Sequence, residues 1–197
     1  VTHDGRILFL RRDYNDRGQS SAHALFQMMP DGSNQTEFYG NQTGTPNSFQ
    51  HPAAIPGSNK IAIILGGYHT RQGGQLAIMD IRNGRQNADG LIRIPQADKP
   101  PTKAGHDDGY AKKGIQYSNP YPLSETEFIV SRSETWGGRT AEHYRVFFMT
   151  ADGRRELLAS DPNTSCLQPV AVMPRQQPAV RPSMVDYTKK TGTFYLQ

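Results

Sequence analysis

The 197-residue chain carries a net charge of +4, a hydrophobic fraction of 35% and a single cysteine, Cys166. One cysteine excludes an internal disulfide and any cysteine-based metal centre built by this chain alone, and the longest apolar runs fall far short of the roughly 18 residues a membrane-spanning helix needs. The 22 basic residues are scattered among 18 acidic ones, which argues against a nucleic-acid partner, because such proteins gather Lys and Arg on one element with aromatics between them.

Taken along the chain, 19 Gly and 14 Pro punctuate short apolar segments, the pattern of many strands joined by turns. Gly5 to Leu10 reads as a buried strand, followed by a polar connection from Arg11 to Ala22. Leu25 to Met29 reads as the next strand, with a turn at Asp31-Gly32 and a partner strand at Thr36 to Tyr39. After a connection from Gly40 to Gln50, His51-Pro52-Ala53-Ala54-Ile55-Pro56 has the look of a short, proline-punctuated strand, and Lys60 to Leu65 that of a fully buried one. Leu76 to Arg82 leads to Asn83-Gly84, and Gly90 to Ile94 would complete a hairpin turning near Gly84. The long polar stretch from Pro95 to Ser118 precedes Asn119 to Ser124, Glu127 to Ser131, and a hairpin of Val146 to Thr150 with Arg155 to Leu158 turning near Gly153. Asp-Gly and Asn-Gly favour such turns because both residues tolerate positive φ. Thr191 to Gln197 has the composition of a further strand.

Three of these hairpins share one design, a strand with Met four or five residues ahead of the glycine of Asp-Gly or Asn-Gly, and each follows a buried strand. Recurrence of one antiparallel module is the signature of a β-propeller, whereas a sandwich needs no such repeat. The sequence therefore predicts an all-β fold, a β-propeller segment of about three four-stranded antiparallel blades in an incomplete ring. The first blade, partial, covers 1–48 and the second 49–95; a long inter-blade loop spans 96–118, the third blade 119–166, and 167–197 begins a further blade or leaves as an exit segment. Three blades do not close a ring, since propellers need about four to eight, so the remaining blades are expected from the same protein or from partner chains.

Asp4-Gly5-Arg6-Ile7-Leu8-Phe9, with Arg11 to Gln19 behind it, resembles the middle domain of hydrazine synthase alpha-subunit-like proteins. The strings Met29 to Gln35, Gly67-Tyr68-His69 ahead of Gly74-Gln75-Leu76, Pro120 to Ser124, and Pro174 to Pro182 carry the same resemblance. The Pro-Asp-Gly hairpin alone is similar to the broader TolB/PD40-like repeats. The resemblance implies a propeller domain inside a larger, exported protein, periplasmic or extracellular, that often carries c-type haem elsewhere. No Cys-x-x-Cys-His occurs here, so no haem is attached covalently to this segment and no cofactor is expected in it. Tyr68 and Asn119 stand where relatives often have His, and Arg12 where Trp is common.

In a four-stranded blade the loops joining second to third strands emerge on the same side as the inter-blade connections. That side is expected to collect Arg11, Tyr14, Arg17, His69, Arg71, Trp136, Arg139 and His143, charged and aromatic groups suited to a partner domain or an anionic ligand. The opposite side, built of hairpins, is expected to have little reach and no comparable chemistry. His69, His106 and Asp107 are weak metal candidates, since adjacent residues rarely point at one ion. Gly-x-Ser-x-Gly, a Walker loop and a dinucleotide fingerprint are all missing from the sequence. The favoured expectation is a non-catalytic scaffold and docking domain. A haem-dependent oxidoreductase of the hydrazine-synthase type, with haem held by other domains, is the alternative, and a carbohydrate- or peptide-binding propeller the third.

Overall fold

The computed structural model describes residues 1–12, 23–41, 43, 46, 48–66, 73–93, 114–134 and 143–193. The chain is all-β and built from antiparallel strands in three successive groups. The first contains β1 (Ile7–Arg12), β2 (His23–Met28) and β3 (Thr36–Tyr39), in that order across the sheet. The second contains β4 (Phe49–Ala54), β5 (Ile61–Gly66), β6 (Gly74–Met79) and β7 (Leu91–Arg93). The third contains β8 (Gln116–Pro122), β9 (Glu127–Ser133), β10 (Arg145–Thr150) and β11 (Arg155–Ala159). A single bridge, Gly74 to Tyr117, joins the second group to the third. Among the described residues the sheets do not close on themselves, and no helix is long and apolar enough to cross a membrane.

The run Ile61-Ala62-Ile63-Ile64-Leu65 explains how the groups stack. Every residue of β5 is buried, although side chains in a strand alternate between faces. Ile61, Ile63 and Leu65 join Ala77 and Met79 in a core with Leu25, Phe38 and Tyr39 of the first group. Ala62 and Ile64 join Leu76 and Ile78 in a second core with Tyr117, Phe128, Val130 and Met149 of the third. The middle sheet is therefore covered on both faces, and a continuous apolar run is the sequence such a strand requires.

Register divides the molecule into two sides. Arg12 pairs with His23, Gly66 with Gly74, Gln116 with Ser133, and Arg132 with Arg145, so these strand ends lie together. A bridge from His23 to Ser48 ties the first two groups at that level. This is the loop side. The opposite ends carry the short turns and form the hairpin side.

All three expected hairpins form: two turn at Gly32 (φ 83°) and Gly153 (φ 89°), and β6 pairs with β7 across a connection that contains Gly84. Only the form of the third turn differs. In place of a tight turn at Asn83-Gly84, a 3₁₀ turn covers Ile81–Asn83 and β7 starts only at Leu91. Tertiary contacts select the longer path: Asp80 caps the turn by accepting from the Arg82 amide, Gly40 N–H donates to the Arg85 carbonyl at 2.9 Å, and the buried Tyr39 hydroxyl donates to the Asn87 carbonyl at 2.8 Å. A two-residue turn would forfeit those bonds to the first group.

Residues 160–193 contain no strand. They run back from the third group across the hairpin side to the first, as an extended and largely exposed tail.

Because Leu65 is fully buried in the first core, Leu65→Ala is expected to cost about 2–5 kcal/mol, the range for core leucines. Leu158→Ala, at a site 52% exposed in β11, is expected to stay within about 0.5 kcal/mol of the parent. Urea unfolding followed by far-UV circular dichroism measures both, and equal losses would contradict the layered core.

Candidate functional site

The loop side holds most of the buried polar side chains: Ser48, Gln50, Gln116, Ser118, Ser131, Arg132 and Ser133. They occupy strand ends, where the apolar cores give out; Ser131 Oγ and Arg132 Nε are buried there without a hydrogen-bond partner among the described residues. Arg132 is the largest of them and only 1% exposed. Its guanidinium makes a forked pair with Glu134, Nη2 donating at 2.9 Å, and lies 5.4 Å from the Phe147 ring centroid. Arg145 donates to the same carboxylate at 3.3 Å. The Arg132 hydrogen bond holds the Glu134 carboxyl below its usual range, against the opposing effect of its own partial burial. A buried arginine demands such a partner, since removing it would leave a desolvated charge.

The first strands of the second and third groups, β4 and β8, bear a matched pair of irregularities. Each pairing shifts at a bulge, between Gln50 and Ala53 and between Ser118 and Tyr121. His51 sits at φ 52° and Asn119 at φ 46°, each ahead of a proline. Positive φ at residues other than glycine is strained and tends to mark special positions. Asn119 Nδ2 lies 3.1 Å from His51 Nδ1, so the two bulges meet. His23 Nδ1 lies 3.3 Å from Ser48 Oγ nearby. Burial, and next the charge of Arg12, push the His23 imidazole below its ordinary pKa.

Of the residues expected to gather on this side, Arg11 and His143 are described. Arg11, next to last in β1, holds its guanidinium 3.7 Å over the Phe26 ring centroid, a stacking contact within its own sheet. His143 is exposed, just ahead of β10. Tyr14, Arg17, His69, Arg71, Trp136 and Arg139 lie outside the described residues, as do His106 and Asp107. Among the described residues no three His, Cys, Asp or Glu side chains are grouped to hold a metal ion. The sequence reading passed over Arg132 and His51. The repeat of Gln50-His51-Pro52 as Ser118-Asn119-Pro120 was the available signal for the bulges; nothing local marked Arg132 as buried.

The hairpin side, expected to have little reach, also presents charged side chains. Between the first and second groups opens a cleft of about 270 Å³, with Phe38 and Ile61 on its apolar wall and Thr2, Asp4, Gln27, Ser58, Asp80 and Arg82 around them. The Asp80 side chain is 5% exposed and pairs with Arg82, whose Nη2 donates at 2.6 Å and Nε at 2.9 Å. Lys60 reaches the Glu125 carboxylate at 2.5 Å across to the third group. Next to the cleft a smaller cavity of about 80 Å³ is walled by His3, Ile55, Pro56, Arg175 and Pro178. Clefts that mix an apolar wall with hydrogen-bonding groups accept polar organic ligands.

In comparisons with known proteins, no family model, no curated protein and no solved structure matches the chain.

The Arg82 hydrogen bonds, against burial, lower the Asp80 pKa to about 2. A carboxylate depressed in the folded state stabilises above its unfolded pKa, near 3.9, and loses that contribution as pH falls through the folded value. Asp80→Asn is therefore expected to flatten the loss of stability between about pH 4 and pH 2, while lowering stability at neutral pH by about 1–3 kcal/mol. Thermal unfolding across that range measures it, and an unchanged acid limb would contradict the Asp80–Arg82 pairing.

Proposed function

We propose that the chain is a segment of a β-propeller that acts as scaffold and docking surface within a larger, exported protein, without catalysing a reaction by itself. One observation carries the reading: a middle antiparallel sheet buried on both faces by a preceding and a following module. Stacking of repeated sheets face to face is the packing by which propeller blades bury their apolar faces. The charged groups of the described loop side favour a structural role, since Arg132 and Arg145 share Glu134, and Arg11 stacks on Phe26. Such internal pairing braces strand ends and leaves little free charge for chemistry.

The docking surface is the outer rim of the third module. All five residues of β11 are exposed, including Leu157 at 48% and Leu158 at 52%. An apolar edge strand of this kind offers both side chains and unpaired backbone groups to a neighbour. Its expected partner is a further blade or domain of the same protein.

The isolated 1–197 chain is expected to self-associate in sedimentation velocity and to enhance the fluorescence of a hydrophobic dye. Leu157→Lys/Leu158→Lys should reduce both while leaving far-UV circular dichroism unchanged. A parent chain that stays monomeric and binds no dye would overturn the reading.

A further inference from the structure

The tail of residues 160–193 is almost entirely exposed, yet it is fastened at a series of points. Near its start the Cys166 amide donates to the Tyr144 carbonyl at 2.8 Å. The Tyr121 hydroxyl donates to the Ala171 carbonyl at 3.1 Å. The Arg175 guanidinium lies 4.3 Å from the centroid of the same Tyr121 ring and donates to the Pro122 carbonyl at 3.0 Å. Farther along, the Ala179 amide donates to the His3 carbonyl at 3.1 Å. Arg181 grips Asp4 twice, Nε donating to its carbonyl at 2.5 Å and Nη2 to Oδ2 at 2.9 Å. Finally the Met184 amide and the Ser183 hydroxyl donate to Asp31 Oδ2 at 2.6 and 3.0 Å.

These partners form a track along the hairpin side, from the β8–β9 turn of the third group to the residues before β1 and the β2–β3 turn of the first. The track is shaped for a backbone passing over it. At Gly5, φ is 83° and an added Cβ would lie 1.9 Å from the Ala179 carbonyl oxygen, so any side chain there would expel the tail. The occupant is pre-extended as well. Pro174, Pro178 and Pro182 recur every fourth residue, and proline-rich segments bind with little loss of backbone freedom because their extended form exists before binding. Two arginines placed six positions apart provide the specificity, one by stacking on an aromatic ring and one by a carboxylate and carbonyl fork.

The hold is polar and shallow. Few large apolar side chains of the tail are buried: Val172 is fully exposed and Val180 is 82% exposed, while Met184 meets the track only through its sulfur, which accepts from Asn34 Nδ2 at 3.2 Å. Without an apolar anchor, a few charge-assisted bonds at half-exposed sites give a weak attachment whose persistence in cis comes from tethering. This surface is separate from the β11 rim and does not depend on the propeller reading.

We propose that the hairpin side is a peptide-binding track for an extended, proline-rich segment bearing two arginines six positions apart, and that residues 171–184 occupy it in cis as a displaceable ligand. When this tail is displaced, the track accepts the corresponding segment of a second copy.

The test uses the full chain and a fluorescent peptide of residues 169–187, read by anisotropy. The parent chain should bind the peptide weakly, because the tethered tail competes at millimolar effective concentration. Arg175→Ala/Arg181→Ala in the chain should free the track and tighten binding by on the order of tenfold or more. Adding Tyr121→Ala and Asp4→Asn to that chain should abolish the gain, and a peptide with both arginines replaced by alanine should bind neither chain. No tightening in the freed chain, or binding insensitive to Tyr121 and Asp4, would overturn the proposal. An independent readout needs no variant: excess peptide should lower the hydrogen-exchange protection of the Ala179 and Met184 amides in the parent chain, and unchanged protection would equally count against it.

Discussion

Burial of the β5–β6 hairpin on both faces is the constraint around which the other strands are arranged. Ile61, Ile63 and Leu65 face one neighbour while Ala62 and Ile64 face the other. At about 25 cal/mol per Å² of apolar surface removed from water, neither neighbour can be withdrawn without exposing a full sheet face. Within the hairpin the strands also run close at its loop end, where a Cβ on Gly74 would fall 2.0 Å from the Leu65 carbonyl oxygen. Small residues such as Ala62 and Ala77 let the sheets meet where Ile and Leu supply the bulk.

Polar groups fall at the ends of those strands for the same reason. Once both faces of a sheet are covered, a polar side chain can be accommodated only where the apolar layers stop, and there it needs a partner. Arg132 with Glu134 and Arg145, His23 with Ser48, and His51 with Asn119 answer that need on the loop side. On the hairpin side Asp80 with Arg82 and Lys60 with Glu125 do so. The bulges of β4 and β8 bring His51 and Asn119 together at the cost of two strained residues. Strain repeated at equivalent positions is a property of the module and not an accident of one loop.

The tail shows how a segment that buries little apolar surface can still be held. Its contacts use the Asp4 carbonyl and carboxylate, the His3 carbonyl and Asp31. Asp31 already accepts from Ser33 within its own turn, so the turn supplies a fixed anion before the tail arrives. The Ser33 hydroxyl first, and then the backbone amides of Ser33 and Met184, hold the Asp31 carboxyl far below its usual range. A hairpin whose turn chemistry serves folding thereby doubles as an attachment point.

Much of the strand architecture was legible in the residues. The continuous run of β5, the Met-rich strands ahead of Asp-Gly, and the prolines of β4 and β8 are local signals, because strand type, turn type and burial of a short apolar run depend on neighbours within a few positions. Gly32 and Gly153 turn as their dipeptides dictate. The hairpin at Asn83-Gly84 forms over a longer connection, because Tyr39, Gly40 and Thr43, over 40 positions away in sequence, bond the residues that follow it. Arg132 reads locally as one more charged strand residue, and only its placement between Glu134 and Phe147 buries it. Arg175 and Arg181 likewise look like a solvated proline-arginine stretch until Tyr121 and Asp4 are brought beneath them. Local sequence decided which segments became strands and where most of them turned. The pairing of charges and the course of the tail were decided by contacts between residues up to 177 positions apart, which no local pattern encodes.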